Sequence, residues 1–266
     1  MTSDNKKAQI VSILNQKGGV GKTTTTVNLS HAVGLKEFKV LVIDMDPQCN
    51  ASMILGKLSP FEQPKTIVDL FTSESNISDC IVPTKYKNVD MVSSHMDLFA
   101  VKTQITGTTE GVVGLRKKID KATLSKYDFI IIDCQPDIGG ALVTNALVIS
   151  DKYIVPVGAE DVFGLRGIKQ LETAVKSVRE SINEKIKMLG VLITMADYRS
   201  NATSVMIETI NTHFKEGEVF ETVIKRNASI NTAFMQNKSV ISHDGRTPGA
   251  VDYSKLADEF LAKIGQ

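Results

Sequence analysis

The chain has 266 residues and is 42% apolar, enough to bury one sizeable core. Its net charge of +1 singles out neither nucleic acid nor an acidic partner. Its three cysteines, Cys49, Cys80 and Cys134, form no C-x-x-C pair, which argues against a disulfide framework or structural zinc and fits a reducing cytosol.

The opening MTSDNKKAQ lacks the apolar stretch of a signal peptide, and no apolar run approaches the ~18 residues of a membrane helix. The expectation is a cytoplasmic protein. Residues 10–14 read as a first strand and 23–35 as a helix. Further strands are expected at 40–44 (VLVID), 129–133 (FIIID), 153–157 (YIVPV) and 189–194 (LGVLIT). These runs are almost continuously apolar, as parallel strands covered on both faces require. Helical patterns fall at 165–181 and 202–214. Residues 57–110 are less regular, and loops and short elements are expected there. The alternation predicts an α/β fold, a doubly wound and mainly parallel sheet flanked by helices, in a single domain. At 252–264, Tyr253, Leu256, Ala257, Phe260, Leu261 and Ile264 share one helical face. Its polar face, with Asp252, Lys255, Asp258, Glu259 and Lys263, is not basic, so a core-packing helix is expected rather than a membrane-surface one.

Three strand ends carry chemistry. NQKGGVGKTTTT puts Gly18, Gly19 and Gly21 between a strand and a helix. Glycines let a backbone wrap phosphate, and the helix start adds partial positive charge. Lys22 would reach the terminal phosphates and Thr23 would ligate Mg²⁺. The usual first glycine of such a loop is Gln16 here, followed by an extra lysine, Lys17. At the second strand end stand Asp44 and Asp46, on the same side if the strand runs that far. One can order Mg²⁺-bound water and the other an attacking water. At the third, FIIID ends in Asp133, a Walker B pattern whose carboxylate would hold Mg²⁺ through water. In isolation, the Asp44 and Asp46 end would read as an ordinary strand end with solvated acids, and a lone FIIID is a weak signal; beside the glycine loop both gain weight.

The combination is specific. KGGVGKTT resembles the deviant Walker A motif of the ParA/MinD superfamily, and the chain is identified by its tail as ParA/Soj-like. VLVIDMDPQCNAS, IIIDCQPDIGG, LITMADYRSN and VIKRNASINTAFMQNKSVISHDGRTPGAVDYSKLADE are each similar to segments of that branch. The resemblance implies that Lys17 crosses a dimer interface to the partner subunit's phosphates. It makes Lys17, Lys22 and Asp46 the catalytic set, with Thr23, Asp44 and Asp133 around Mg²⁺. Lys17, Gly18, Gly19, Val20, Gly21, Lys22, Thr23 and Thr24 would contact the nucleotide, with Arg226 and Asn227 at the adenine end. It implies a Mg²⁺-dependent ATPase that forms a homodimer with ATP, binds DNA without sequence preference, and is stimulated by a ParB-like adaptor to segregate plasmid or chromosomal DNA. The expected location is the cytoplasm, on the nucleoid.

Some positions depart from the family pattern. Gln135 and Lys225 stand where proline is usual, Ser229 stands where arginine is common, and Asn231-Thr232 replaces a common Ser-Glu. Arg199 and Arg226 resemble DNA-contacting arginines, but either could be a surface residue or serve the nucleotide. Residues 185–246 hold eight basic and six acidic residues, so charge alone does not mark a DNA surface. The denser cluster Arg116, Lys117, Lys118, Lys121 and Lys126 reads as a solvated helix face, with a partner or DNA surface as the alternative. Only a short polar segment precedes the first strand, so no N-terminal helix-turn-helix domain is expected. The competing readings are a cargo-positioning ATPase, a MinD-like membrane-cycling switch and an iron-protein-like redox ATPase. The last two want a basic amphipathic tail and cluster cysteines, respectively.

Overall fold

The structure is a computed structural model and describes residues 8–160 and 164–265. Among these residues, seven strands form one sheet: β1 (Gln9–Ile13), β2 (Val40–Met45), β3 (Ile81–Pro83), β4 (Val89–Val92), β5 (Phe129–Cys134), β6 (Lys152–Gly158) and β7 (Lys187–Thr194). Their order is β3-β4-β2-β5-β1-β6-β7, and only the edge pair β3–β4 is antiparallel. Pro83 ends the edge strand β3, where a missing N–H costs no internal ladder bond. From β1 the chain passes to β2 and on to the edge strand β3, turns back through β4 to β5 beside β1, then continues on the other side of β1 to β6 and β7. Its direction of winding therefore reverses around β1. In an open α/β sheet, that reversal leaves a crevice at the carboxyl ends of the strands.

Alternation along each strand feeds two cores. Ile10, Leu41, Ile43, Ile130 and Ile132 pack on one face, under the helices Leu98–Ile105, Ala141–Ile149 and Gly164–Ser181. Val11, Ile13, Val42, Phe129 and Ile131 pack on the other, under α1 (Lys22–Leu35) and the C-terminal helix Pro248–Ile264. The fold is thus the doubly wound, mainly parallel sheet that the sequence implied.

The C-terminal helix is a core element. Thr247 caps its start by accepting the Ala250 N–H, Pro248 fills the first turn, and Gly265 ends it at φ 87°. Phe260 is fully buried and meets Phe129 edge-on, with ring centroids 5.2 Å apart. One expected solvent-facing position is wrong. Asp252 is buried, because a segment ahead of the helix supplies donors for its carboxylate. The irregular stretch 57–110 holds loops and short elements, as expected, among them β3, β4 and the helix Leu98–Ile105. β4 is only four residues (VDMV), too short for a periodicity to stand out, yet it lies inside the sheet. Among the described residues, no helix is long and apolar enough to cross a membrane.

Candidate functional site

The glycine loop leaves β1 at the sheet's switch point and enters α1. Gly19 and Gly21 sit at φ 74° and 87°, in the left-handed region that side-chain-bearing residues avoid. Gly21 is also the N-cap of α1, and no side chain caps that end. The first-turn N–H groups of α1 therefore face the crevice as an anion-binding end. Side chains hold the loop in this shape. Asn15 donates to the Pro156 carbonyl at 2.7 Å and accepts the Lys17 N–H at 3.0 Å. Thr194, at the end of β7, donates to the Val20 carbonyl at 2.9 Å.

The two loop lysines occupy different places. Lys22 is buried, and its Nζ donates to the Lys17 carbonyl at 2.8 Å. Burial lowers its pKa, and the Asp133 carboxylate works against that shift. Lys17 is exposed and is not among the residues lining the cleft.

Three carboxylates meet beside the loop. The β2–β5 register pairs Asp44 with Asp133 across neighbouring strands. Asp133 is fully buried and accepts from Thr23 Oγ1 at 2.7 Å and Thr26 Oγ1 at 3.0 Å. Asp44 accepts the Ser52 N–H at 2.9 Å, the Ser52 hydroxyl at 2.7 Å and the Asp46 N–H at 3.1 Å. Burial raises Asp44 to about 6 against these hydrogen bonds, and burial followed by the Asp44 charge raises Asp133 well above the carboxylate range. β2 ends at Met45, so Asp46 lies just past it; Asp46 lines the cleft and accepts the Gln48 N–H at 2.9 Å. Asp44 and Asp133 do not line the cleft; they stand behind Asp46 and Thr23.

The cleft encloses about 480 Å³. Gly18, Gly19, Gly21, Lys22, Thr23 and Thr24 floor it, and the opposite wall comes from 224–234 and Tyr253. Arg226 and Asn227 are in that wall. Arg226 pairs with Glu160 at 2.7 Å. Asn227 spends its side-chain oxygen on the Ser229 N–H, capping the helix Ala228–Met235. Arg199 lies outside the cleft, exposed and gripped in a two-pronged pair by Asp197 at 2.9 and 2.7 Å, which holds Asp197 down at about 2. In the basic cluster, Lys117 pairs with Glu110 and Lys118 donates to the Ser73 carbonyl, at the helix end that favours cations.

Several residues of the site carried no recognised signal. Thr26 was legible in principle, three residues after Thr23 and so on the same helical face. Ser52 and Ser94 were not. Ser52 sits in the helix α2 (Asn50–Leu55), and Ser94 gives its N–H to the Ser52 hydroxyl at 2.8 Å and its own hydroxyl to the Asp46 carbonyl at 2.7 Å. The structure also gives a reason for Lys225. Its main-chain N–H, which proline would lack, donates to Asp252 at 3.1 Å.

Residues 8–188 match the family described as an AAA domain. The chain is 36% identical over 254 residues to the sporulation initiation inhibitor protein Soj of Bacillus subtilis, spanning 96% of this chain and 98% of Soj. It belongs to the ParA/Soj family of P-loop ATPases. A second relative, the chromosome partitioning protein ParA of Myxococcus xanthus, is 32% identical over 255 residues, 96% of this chain and 88% of that protein. The fold is shared with a solved cobyrinic acid a,c-diamide synthase from Mycobacterium smegmatis, with bound ATP analog and magnesium. That match has a TM-score of 0.80 at 24% identity, over 97% of both chains. The three loop glycines, Lys22 and Asp46 of this chain line one continuous crevice.

Proposed function

We propose that the chain is a DNA-partitioning ATPase that binds ATP with Mg²⁺ in this cleft and hydrolyses it slowly as a homodimer. The observation that carries the reading is the split between two lysines on one loop: Lys22 buried in the floor, Lys17 exposed and off the lining of its own cleft. A lysine in that position suits the phosphates of a nucleotide held by a second subunit. Similarity to Soj and ParA along nearly the whole chain supports the partition role.

The donor set fits Mg²⁺. It is made of hydroxyl and carboxylate oxygens, and among the described residues no group of three or more His, Cys, Asp or Glu forms a closed cage. Mg²⁺ takes few protein ligands and keeps waters and substrate phosphates. Thr23 gives its proton to Asp133, which leaves its oxygen lone pairs for a cation. Asp133 and Asp44 lie one layer back, suited to hydrogen-bonding metal-bound water. When bound, the ion neutralises charge on the phosphates.

The chain's own groups do the rest. The α1 N–H groups and Lys22 grip the phosphates. Asp46 has one oxygen on the Gln48 N–H, and the other orients an attacking water. Lys17 of one subunit stabilises charge on the phosphoryl group held by the other, so hydrolysis requires the dimer. The ATP dimer binds DNA without sequence preference, Arg199 and Arg226 contributing, and a ParB-like adaptor stimulates hydrolysis and release.

Retention of the purified protein on DNA, with and without ATP and Mg²⁺, tests this. The expected result is ATP-dependent retention that weakens steeply with salt. Nucleotide-bound protein that passes through at low salt removes the partition reading.

A further inference from the structure

We infer that Lys225 and Asp252 form a positioning pair that sets the nucleoside wall of the cleft; the inference rests on the nucleotide-binding reading of that cleft. The segment leading to Arg226 runs along the outer edge of β7. Ala196 donates to the Ile224 carbonyl at 3.1 Å and accepts the Arg226 N–H at 2.9 Å. Lys225 is the bridge residue opposite Ala196, so its own N–H points away from the sheet. An N–H in that direction finds no acceptor in the sheet and needs one from elsewhere.

Asp252 supplies it. The carboxylate takes the Lys225 N–H at 3.1 Å on one oxygen and the Lys225 ammonium at 3.3 Å on the other. Its side chain is only 5% exposed, against 49% for Lys225. Asp252 is therefore the desolvated partner, and a buried carboxylate without its donors is costly. Proline at 225 would bring neither donor. The two residues make sense together: one brings two donors, the other is a buried carboxylate with two oxygens to fill.

The pair joins two walls of one cleft. Ile224, Lys225, Arg226 and Asn227 line it from one side. Tyr253, the neighbour of Asp252 on the C-terminal helix, lines it from another. Both lie across from the phosphate loop. The phosphate end has its own anchors, Asn15 and Thr194, and among the described residues neither bonds to this pair. Loosening the pair should weaken the grip on the nucleoside and leave the grip on phosphate intact.

Calorimetric titration with ATP and with inorganic tripolyphosphate separates the two ends, alongside kcat at saturating ATP. For Asp252→Ala, ATP affinity is expected to fall roughly tenfold through the unpaired donors, with tripolyphosphate affinity and kcat within about twofold of wild type. Asp252→Asn keeps an acceptor for the N–H but not the charge, so about a threefold loss is expected. Should Asp252→Ala fail to fold, Asp252→Asn carries the same comparison. If wild type binds ATP and the folded variants match it, the inference is overturned alone. Parallel loss of tripolyphosphate affinity also overturns it, because the effect is then general. Wild-type protein that takes up neither probe overturns the nucleotide reading and the inference with it.

Discussion

Replacing Ser52 by alanine tests how the acidic cluster is built. The Ser52 hydroxyl donates to Asp44 at 2.7 Å and accepts the Ser94 N–H at 2.8 Å. Ser52, Ser94 and Asp44 are all buried. Alanine strips the Ser94 N–H of that acceptor and takes one of three hydrogen bonds from a buried carboxylate. An orphaned buried donor costs about 1–3 kcal/mol and a lost bond to a charged group a similar amount, for a total near 3 kcal/mol. The Ser52 main-chain N–H stays on Asp44, which limits the damage. Urea unfolding should show the loss as a lower midpoint at unchanged m-value. Thermal unfolding should drop by roughly 6 °C or more. Asp44 adds a pH signature. Burial already holds it near 6, and losing the hydroxyl bond raises it further. A carboxyl whose folded pKa lies above its unfolded one binds its proton more tightly when folded. The fold therefore loses stability as pH rises from about 4 through 6, and Ser52→Ala should extend that loss to higher pH. A variant within about 1 kcal/mol of wild type at all pH values would refute the assignment of Ser52 as the main support of Asp44.

Two further outcomes follow from the same geometry. Lys22→Ala should weaken ATP binding, because its buried ammonium is part of the cleft floor, whereas Lys17→Ala should bind ATP normally and lose stimulated hydrolysis. Paired binding and turnover assays check this, and normal hydrolysis by Lys17→Ala refutes the cross-subunit role. His31 stacks on Tyr86 with ring centroids 4.1 Å apart and shares a 2.6 Å hydrogen bond with Ser239. Burial depresses its pKa to about 4, so the unfolded chain takes up this proton first as pH falls from 6.5 to 4. Relative to His31→Gln, wild type should lose about 3 kcal/mol over that window, measurable by denaturant melts at each pH. Parallel pH curves for the two proteins would show that His31 titrates normally.

The phosphate loop, the strand bearing Asp44 and the C-terminal helix were legible because each writes a local rule into contiguous residues. Glycines precede a helix, apolar runs end in carboxylates, and an apolar face repeats at helical spacing. β4 was not legible, since four residues show no period, and its place inside the sheet comes from pairing with β2. Asp252 was misread because helical spacing sorts residues by face, and cannot register that Lys225 approaches that face with two donors.

By itself, then, the sequence determined which residue types could bind phosphate, metal and water, and that a parallel sheet would carry them. The tertiary structure decided which of them meet. The β2–β5 register sets Asp44 beside Asp133. Ser52 and Ser94 converge on the Asp44 and Asp46 strand end from two further segments. The reason is physical: local patterns reflect the backbone and its nearest turns, whereas hydrogen-bond partners far apart in sequence are chosen by the packing of whole elements. The glycine loop could be read in twelve letters, but the supports of its acidic neighbours existed only once the sheet had closed.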